Sequence, residues 1–278
     1  MGITISTIDC QRELKDKLRE SVGIKFIVNI EEKREFTIFE IDFNREKLSC
    51  SGQENIAQII ADIVVDSFEE KLIRKIVNHR YGQFSREEGK CVVSSALDIL
   101  NNNLVQSRSL RKKKIINEII NYLKENKDIN LEGFVRFRLQ EYMKHLNMAI
   151  EQAADDLLIE KEYNDFIELL RYFVELQEDK VELVHVIEDD ENSYDIYNKK
   201  FKKIRDENVE NYITDLIEEE ITYEDLLISA LINISPKKII LHLNNLNIID
   251  TVERIFTNRV EVCRGCDFCI KISDKKED

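Results

Sequence analysis

Turn-forming residues are scarce in this chain, with seven glycines and one proline among 278 residues. Between Gly133 and Gly265 the single breaker is Pro236. So few breakers exclude a turn-rich all-β fold and favour long helices. None of the glycines falls in a phosphate-cradling pattern, and the sequence holds no P-loop, dinucleotide fingerprint, nucleophile elbow or kinase motif. A nucleotide-dependent enzyme is therefore not expected, and no catalytic set stands out. No apolar run approaches the roughly 20 residues that span a bilayer. The opening MGITISTIDC lacks the basic and long apolar regions of a secretory leader. The expectation is a soluble, cytoplasmic protein with no membrane partner. Positive charge is also short, with 41 Lys and Arg against 55 Asp and Glu, a net charge of −14. That balance disfavours nucleic acid as a default partner.

What is present suffices for a core. Hydrophobic residues make up 43% of the chain and charged residues 35%, a globular rather than a disordered composition. ITISTI (3–8) reads as a strand, and Asp9 can cap a helix running to about Ser21. IKFIVNIEE (24–32) and EFTIFEIDF (35–43) are β-branched and aromatic, and read as a hairpin. After a linker at LSCSGQEN, Ile60, Val64, Phe68, Leu72 and Ile76 recur every four residues and predict a helix over about 54–79. Ser85 with Glu88 has the capping-box spacing for the next helix, and a third spans about 110–125. Then Val135, Leu139, Tyr142, Leu146, Ala149, Ala153 and Leu157 alternate steps of three and four, and Tyr163, Phe166, Leu170 and Phe173 resume the pattern. This predicts about 45 helical residues, about 70 Å long, with a kink or stutter between Leu157 and Tyr163. A helix that long in a chain this size implies passage through a bundle centre or contact with a second chain. Further on, VELVHVI and YDIYN form a second hairpin. Helices follow over about 205–219 and 222–234, the latter capped by Thr222 with Asp225. KKIILHL, IIDTVERIF and RVEVC then read strand, helix, strand, a parallel unit.

The chemically loaded stretch is CRGCDFC, residues 263–269, which follows that last strand directly. Cys263, Cys266 and Cys269 are spaced by two residues each. Thiolates are soft ligands, and a C-x2-C pair grips one ion from a tight turn. Gly265 lets the loop fold so that backbone amides face the sulfurs. The spacing also matches the first three ligands of a bacterial iron–sulfur run, but the fourth cysteine and its proline are missing, so zinc is favoured over iron–sulfur. A fourth donor must come from elsewhere: His242 on the neighbouring strand, His185, Cys91, or a cysteine of a second chain. The competing reading is a redox-labile thiol pair without metal. Cys10, Cys50 and Cys91 read as reduced core thiols.

Other suggestive stretches are weaker. Arg111, Lys112, Lys113 and Lys114 form the strongest basic cluster, in a segment of helix-turn-helix length that Arg136 and Arg138 could extend toward a phosphate-contacting face. The bland alternative, a solvated helix start, suits the net charge better. Asp155, Asp156, Glu160, Glu162, Asp165 and Glu168 lack the Glu-x-x-His pairing of a di-metal bundle and read as a solvated helix face. His185 and His242 sit in apparently buried strands. A hydrogen-bonded core imidazole is the ordinary reading of each, although shared membership of one sheet keeps both as ligand candidates.

The texture of EGFVRFRL (132–139), EYNDFIELLRYFV (162–174), VHVI (184–187) and GCDFC (265–269), with DSFEEKLIRKIVNHRYGQFSREE upstream, resembles the YtxC family of sporulation proteins from spore-forming Gram-positive bacteria. The resemblance covers the chain from about Ile56 onward. It implies a cytoplasmic role linked to endospore formation and brings no reaction with it.

The resulting expectation is an α-rich α+β protein in three segments. A small α/β element occupies 1–48, a helical region with a long helix occupies 53–177, and a C-terminal α/β element ending in the cysteine cluster occupies 178–278. The functional expectation is a non-enzymatic, sporulation-associated protein that acts through a protein partner or self-association. The alternatives are a metal or thiol-redox sensor at the cysteines and a nucleic-acid-binding regulator at residues 111–114.

Overall fold

The computed structural model describes residues 2–21, 26–43, 51–102, 107–188, 193–204, 222–266 and 268. The fold is α-rich α+β, with two four-stranded sheets among the described residues, one toward each end of the sequence. The chain divides into two compact units, Met1–Ile159 and Glu160–Asp278.

In the first unit, β1 (Gly2–Thr7) alternates with period two and buries Ile3, Ile5 and Thr7. Helix α1 (Gln11–Ser21) follows, then the hairpin of β2 (Phe26–Glu32) and β3 (Thr37–Phe43). The sheet order is β2-β3-β1-β4. The fourth strand, β4 (Asp128–Asn130), pairs in parallel with β1. The sequence offered only a helix break there, because three residues are too few to show a period. Ile129 is buried, which is what holds the strand in place.

The helical part starts with α2 (Ser51–Ile63), a π-helical turn at Val64–Phe68, and α3 (Glu69–Arg80). A π turn takes up one residue more than an α turn, so the inward face moves on by one position. The buried stripe accordingly runs Ile60, Val64, Phe68 and then Glu69, Ile73, Val77. The every-four pattern had instead continued to Leu72 and Ile76, which end up partly buried at the edge of the core. Helix α4 (Arg86–Asn102) starts at a reciprocal capping box: the Ser85 amide donates to Glu88 at 2.6 Å, and the Glu88 amide donates to the Ser85 hydroxyl at 3.2 Å. Helix α5 (Arg108–Glu125) packs on α2 and buries Ile115, Ile119 and Leu123.

After β4 come α6 (Leu131–Phe137) and the long α7 (Gln140–Leu176). A helix break falls at Arg138 and Leu139, and α7 is assigned as one helix from Gln140 through Leu157 and Tyr163 to Leu176. Helix α7 has 37 residues, about 55 Å at 1.5 Å per residue, shorter than the sequence pattern suggested. Its Tyr142, Leu146, Ala149 and Ala153 join the first core. Past Ile159 the residues that turn inward are Ile167 and Val174, not Tyr163, Phe166 and Phe173. Asp155, Asp156, Glu160, Glu162, Asp165 and Glu168 are exposed, as a solvated face requires.

The second unit is built on β5 (Val184–Glu188), β6 (Tyr194–Asn198), β7 (Ile239–His242) and β8 (Val260–Val262), in the order β6-β5-β7-β8. The hairpin is antiparallel, and the β5–β7 and β7–β8 pairs are parallel. Helix α8 (Tyr223–Ile234) begins at the Thr222–Asp225 capping box. The helix expected over about 205–219 lies outside the described residues. Helix α9 (Leu246–Phe256) links β7 to β8, and the Asn245 side chain accepts from the Asn247 and Ile248 amides at its start. Its Ile248, Val252, Ile255 and Phe256 form one stripe and join the core under the sheet.

Candidate metal centre

The two faces of the second sheet have different fates. Val184 and Val186 of β5, Ile239 and Leu241 of β7 are fully buried and share a core with α8 and α9. Alternation then puts His185 of β5 and His242 of β7 on the opposite face. The register places His185 opposite both Tyr197 of β6 and Ile240 of β7, and Leu241 opposite Val262. One step beyond that last pair, Cys263 comes alongside His242, and the Cys263 amide donates to the Leu241 carbonyl at 2.9 Å. Each apolar side chain on the core face contributes roughly 1.5–3 kcal/mol on full burial. A slip of one residue would carry the histidines into that core and the valines out of it, so hydrophobic packing fixes the position of the chemical face.

Cys266 reaches the same place through the turn at Arg264 and Gly265. Gly265 has φ of +115°, a conformation that side-chain-bearing residues adopt only with strain. A Cβ added there would meet nothing within 4 Å, so the need for glycine is purely one of backbone conformation. The turn aims the Gly265 amide at the Cys263 sulfur, 3.4 Å away. The ligand-capable atoms of His242, Cys263 and Cys266 lie within 4.8 Å of one another, and the Cys266 sulfur is 3.8 Å from Nδ1 of His242. Ligands at zinc–nitrogen and zinc–sulfur distances of about 2.0–2.3 Å in a tetrahedron stand about 3.5–3.8 Å apart. The three donors are therefore near the spacing that one zinc-sized ion requires.

The remaining nitrogen of His242 is also engaged, with Nε2 lying 3.0 Å from Nδ1 of His185. His185 is 7% exposed and is enclosed by Phe201 and Phe268, at ring separations of 4.9 and 5.8 Å. Phe268 also stands 5.7 Å from His242 and 4.3 Å from Phe201. Burial lowers the pKa of both imidazoles from the ordinary value, and for His242 a charge on His185 acts in the same direction. The aromatic enclosure was not read from the sequence. Phe268, set between two cysteines, was the available signal. Phe201 follows a strand by three residues and had none.

The other residues singled out from the sequence are placed as follows. Cys269 lies outside the described residues. Cys91 is on α4 in the first unit and is exposed, so it is not a core thiol; its neighbours Val92 and Val93 are the ones turned inward. Cys10 does fit the core reading, and burial pushes its thiol up to about 12. Cys50 lies outside the described residues. In the basic cluster, Arg111 is 4% exposed and donates to both carboxylate oxygens of Glu69, at 2.9 and 3.1 Å, and to the Leu100 carbonyl at 2.6 Å. Lys112 pairs with Asp62 and Asp66, and Lys114 with Glu141. The segment after α5 is the strand β4, so the next helix does not follow through a simple turn.

Residues 54–261 match the model of the YtxC-like family. A curated relative from Bacillus subtilis (strain 168), "Uncharacterized protein YtxC", is 27% identical over 155 residues, covering 55% of this chain and 54% of the relative. The alignment thus spans about half the length of that relative. No solved structure matches. His185 and His242 fall inside the family match, which ends two residues before Cys263. No helix among the described residues is long and apolar enough to cross a membrane.

Proposed function

The chain belongs to the YtxC-like family, and from that premise we propose that its second unit binds a thiophilic divalent ion, zinc above all, between Cys263, Cys266 and His242. The observation that carries this reading is the convergence of three donors from two adjacent strand ends within 4.8 Å, on the sheet face that packing leaves clear of the core. Two thiolates and an imidazole suit a single zinc ion, whereas iron–sulfur clusters take four protein ligands, usually all cysteines. The role is non-enzymatic and cytoplasmic, with the ion acting as a structural or sensing element in a sporulation-associated protein, the context that the family resemblance implies. A nucleic-acid-binding role draws less support, since Arg111, Lys112 and Lys114 are all engaged by carboxylates.

The test is metal analysis of the full chain purified without oxygen and titrated with zinc. One equivalent should be retained, and cobalt substituted for it should give thiolate charge-transfer absorption. Cys263→Ser with Cys266→Ser should retain none. A native protein that holds no stoichiometric metal, with thiols that titrate freely, would sink the reading in favour of a thiol pair.

A second reading concerns partners, and its occupant is a second copy of this chain. Beyond Ile159, Phe166, Leu169, Phe173 and Leu176 of α7 are 51–67% exposed and follow one another at steps of three, four and three. That is the a/d spacing of a coiled-coil seam, and large apolar residues so aligned are self-complementary. Light scattering should give twice the 32.9 kDa chain mass at tens of micromolar, and Phe166→Glu with Leu169→Glu should return it to the single-chain mass. A wild-type protein that is strictly monomeric overturns this reading.

A further inference from the structure

We propose that His185 is the positioning residue of this centre: it holds Nε2 of His242 so that Nδ1 is the nitrogen presented to the metal. The inference rests on the zinc reading above and adds to it which atom of His242 ligates and what selects that atom.

The two nitrogens of a neutral imidazole are not equivalent. One carries a hydrogen and the other a lone pair, and only the second can bind a metal. In His242, Nδ1 faces the Cys266 sulfur at 3.8 Å, and Nε2 faces Nδ1 of His185 at 3.0 Å. One proton lies between the two rings, and it has two placements. If His185 donates it, Nε2 of His242 is the acceptor, the hydrogen of His242 sits on Nδ1, and the ring cannot ligate on the cysteine side. If His242 donates from Nε2, His185 accepts through its own Nδ1 and carries its hydrogen on Nε2, and Nδ1 of His242 offers a lone pair toward Cys263 and Cys266. The two placements contain the same number of protons, so zinc binding selects between them without net proton uptake by the pair.

The surroundings make this bond directional. His185 is fixed by its strand, whose register is locked by the valines on the other face. Phe201 and Phe268 press on its ring at 4.9 and 5.8 Å and on each other at 4.3 Å. His185 is thereby almost wholly withdrawn from solvent, so water competes weakly for its side of the bond. Ligating histidines commonly donate their second nitrogen to a carboxylate, a carbonyl or a water, and loss of that partner costs about 10–100-fold in metal affinity. Here the partner is a second imidazole, so the outer shell adds no negative charge to the site.

The test has two parts, both on the full-length chain. Nitrogen-15 NMR of the zinc-loaded wild type should show His242 metal-bound through Nδ1 and protonated on Nε2, with His185 protonated on its own Nε2. That measurement needs no variant and stands even if a substitution impairs folding. In competition titrations with a zinc chelator, His185→Phe should bind zinc about 10–100-fold more weakly and alter the visible bands of the cobalt-substituted protein. His185→Gln, which restores a carbonyl acceptor, should recover part of both. A wild type that binds zinc through Nε2 of His242 overturns the proposal. So does a folded His185→Phe protein with unchanged affinity and unchanged cobalt bands, and in either case the zinc reading itself survives. A wild type that binds no zinc removes both.

Discussion

Replacing Arg111 with methionine is expected to cost about 3–5 kcal/mol of folding stability, the usual loss when one partner of a buried ion pair is removed. The site explains the size of the effect. The π-helical turn at Val64–Phe68 rotates Glu69 into the core, where it is 2% exposed. Its carboxylate is held by the two-pronged bond from Arg111 and by the Tyr142 hydroxyl at 2.9 Å. Burial raises the Glu69 pKa from the ordinary value, with the Arg111 charge opposing that rise. Without the guanidinium, burial acts with less opposition, and the folded-state pKa moves higher still. The native variant then keeps a proton that the unfolded chain releases above the ordinary glutamate pKa. A raised folded-state pKa of this kind means that stability falls as pH rises through the interval between the two values and recovers on acidification. Urea unfolding of Arg111→Met should therefore show its deficit at neutral pH and a smaller one near pH 4.5. Adding Glu69→Gln should restore much of the neutral-pH loss, since a buried pair removed whole costs far less than one broken. A deficit below about 1 kcal/mol, or one indifferent to pH, would show that the pair does not hold these helices together as described.

Zinc should raise the melting temperature of the wild-type chain by on the order of 10 °C. A ligand that binds only the folded state stabilises it by about 2.7 kcal/mol when free at 100 times its dissociation constant. The centre joins the end of β7 to the turn after β8, a strand of three residues, one step past which the Cys263 amide donates to the Leu241 carbonyl. An ion bridging Cys263, Cys266 and His242 adds cross-links where the sheet is shortest. Thermal unfolding with and without zinc, on wild type and on Cys263→Ser with Cys266→Ser, measures this. An equal shift in the serine variant, or none in the wild type, refutes a zinc-dependent staple at these residues.

Much of the fold was legible where a period could establish itself. The N-terminal strands and hairpin, the capping boxes at Ser85 and Thr222, and the strand-helix-strand run ending at β8 all follow from local alternation and side-chain hydrogen-bonding capacity. Two features escaped because no short-range signal encodes them. β4 is three residues long and exists because β1 has an open edge and Ile129 has a core to enter. The π turn is one extra residue in a helix, invisible in composition, and it shows only as a shift of the buried stripe from Phe68 to Glu69 and Ile73.

The second half of α7 marks the same boundary from the other side. Its sequence offers aromatic or aliphatic residues at nine of the fourteen positions from Tyr163 to Leu176, on more than one side of the helix, so the spacing predicted a helix but did not single out the inward face. Packing in the second unit selected Ile167 and Val174 and left Phe166, Leu169, Phe173 and Leu176 outward. Likewise Arg111 looked like the head of a basic patch until burial placed it on Glu69, 42 residues away in sequence.

The sequence by itself determined that CRGCDFC could grip an ion, because thiolate softness, the two-residue spacing and the glycine in the turn are local properties. It also determined that any such site needs a donor from outside the run. Which donor stands nearest was a matter of tertiary structure alone. His242 reaches Cys263 and Cys266 because β7 and β8 run parallel in adjacent register, and that register is set by Ile239, Leu241 and Val260 packing on the far face of the sheet. The residues that place the chemistry are thus apolar, lie on the opposite side of the strands and are chosen by the hydrophobic effect, which no motif records.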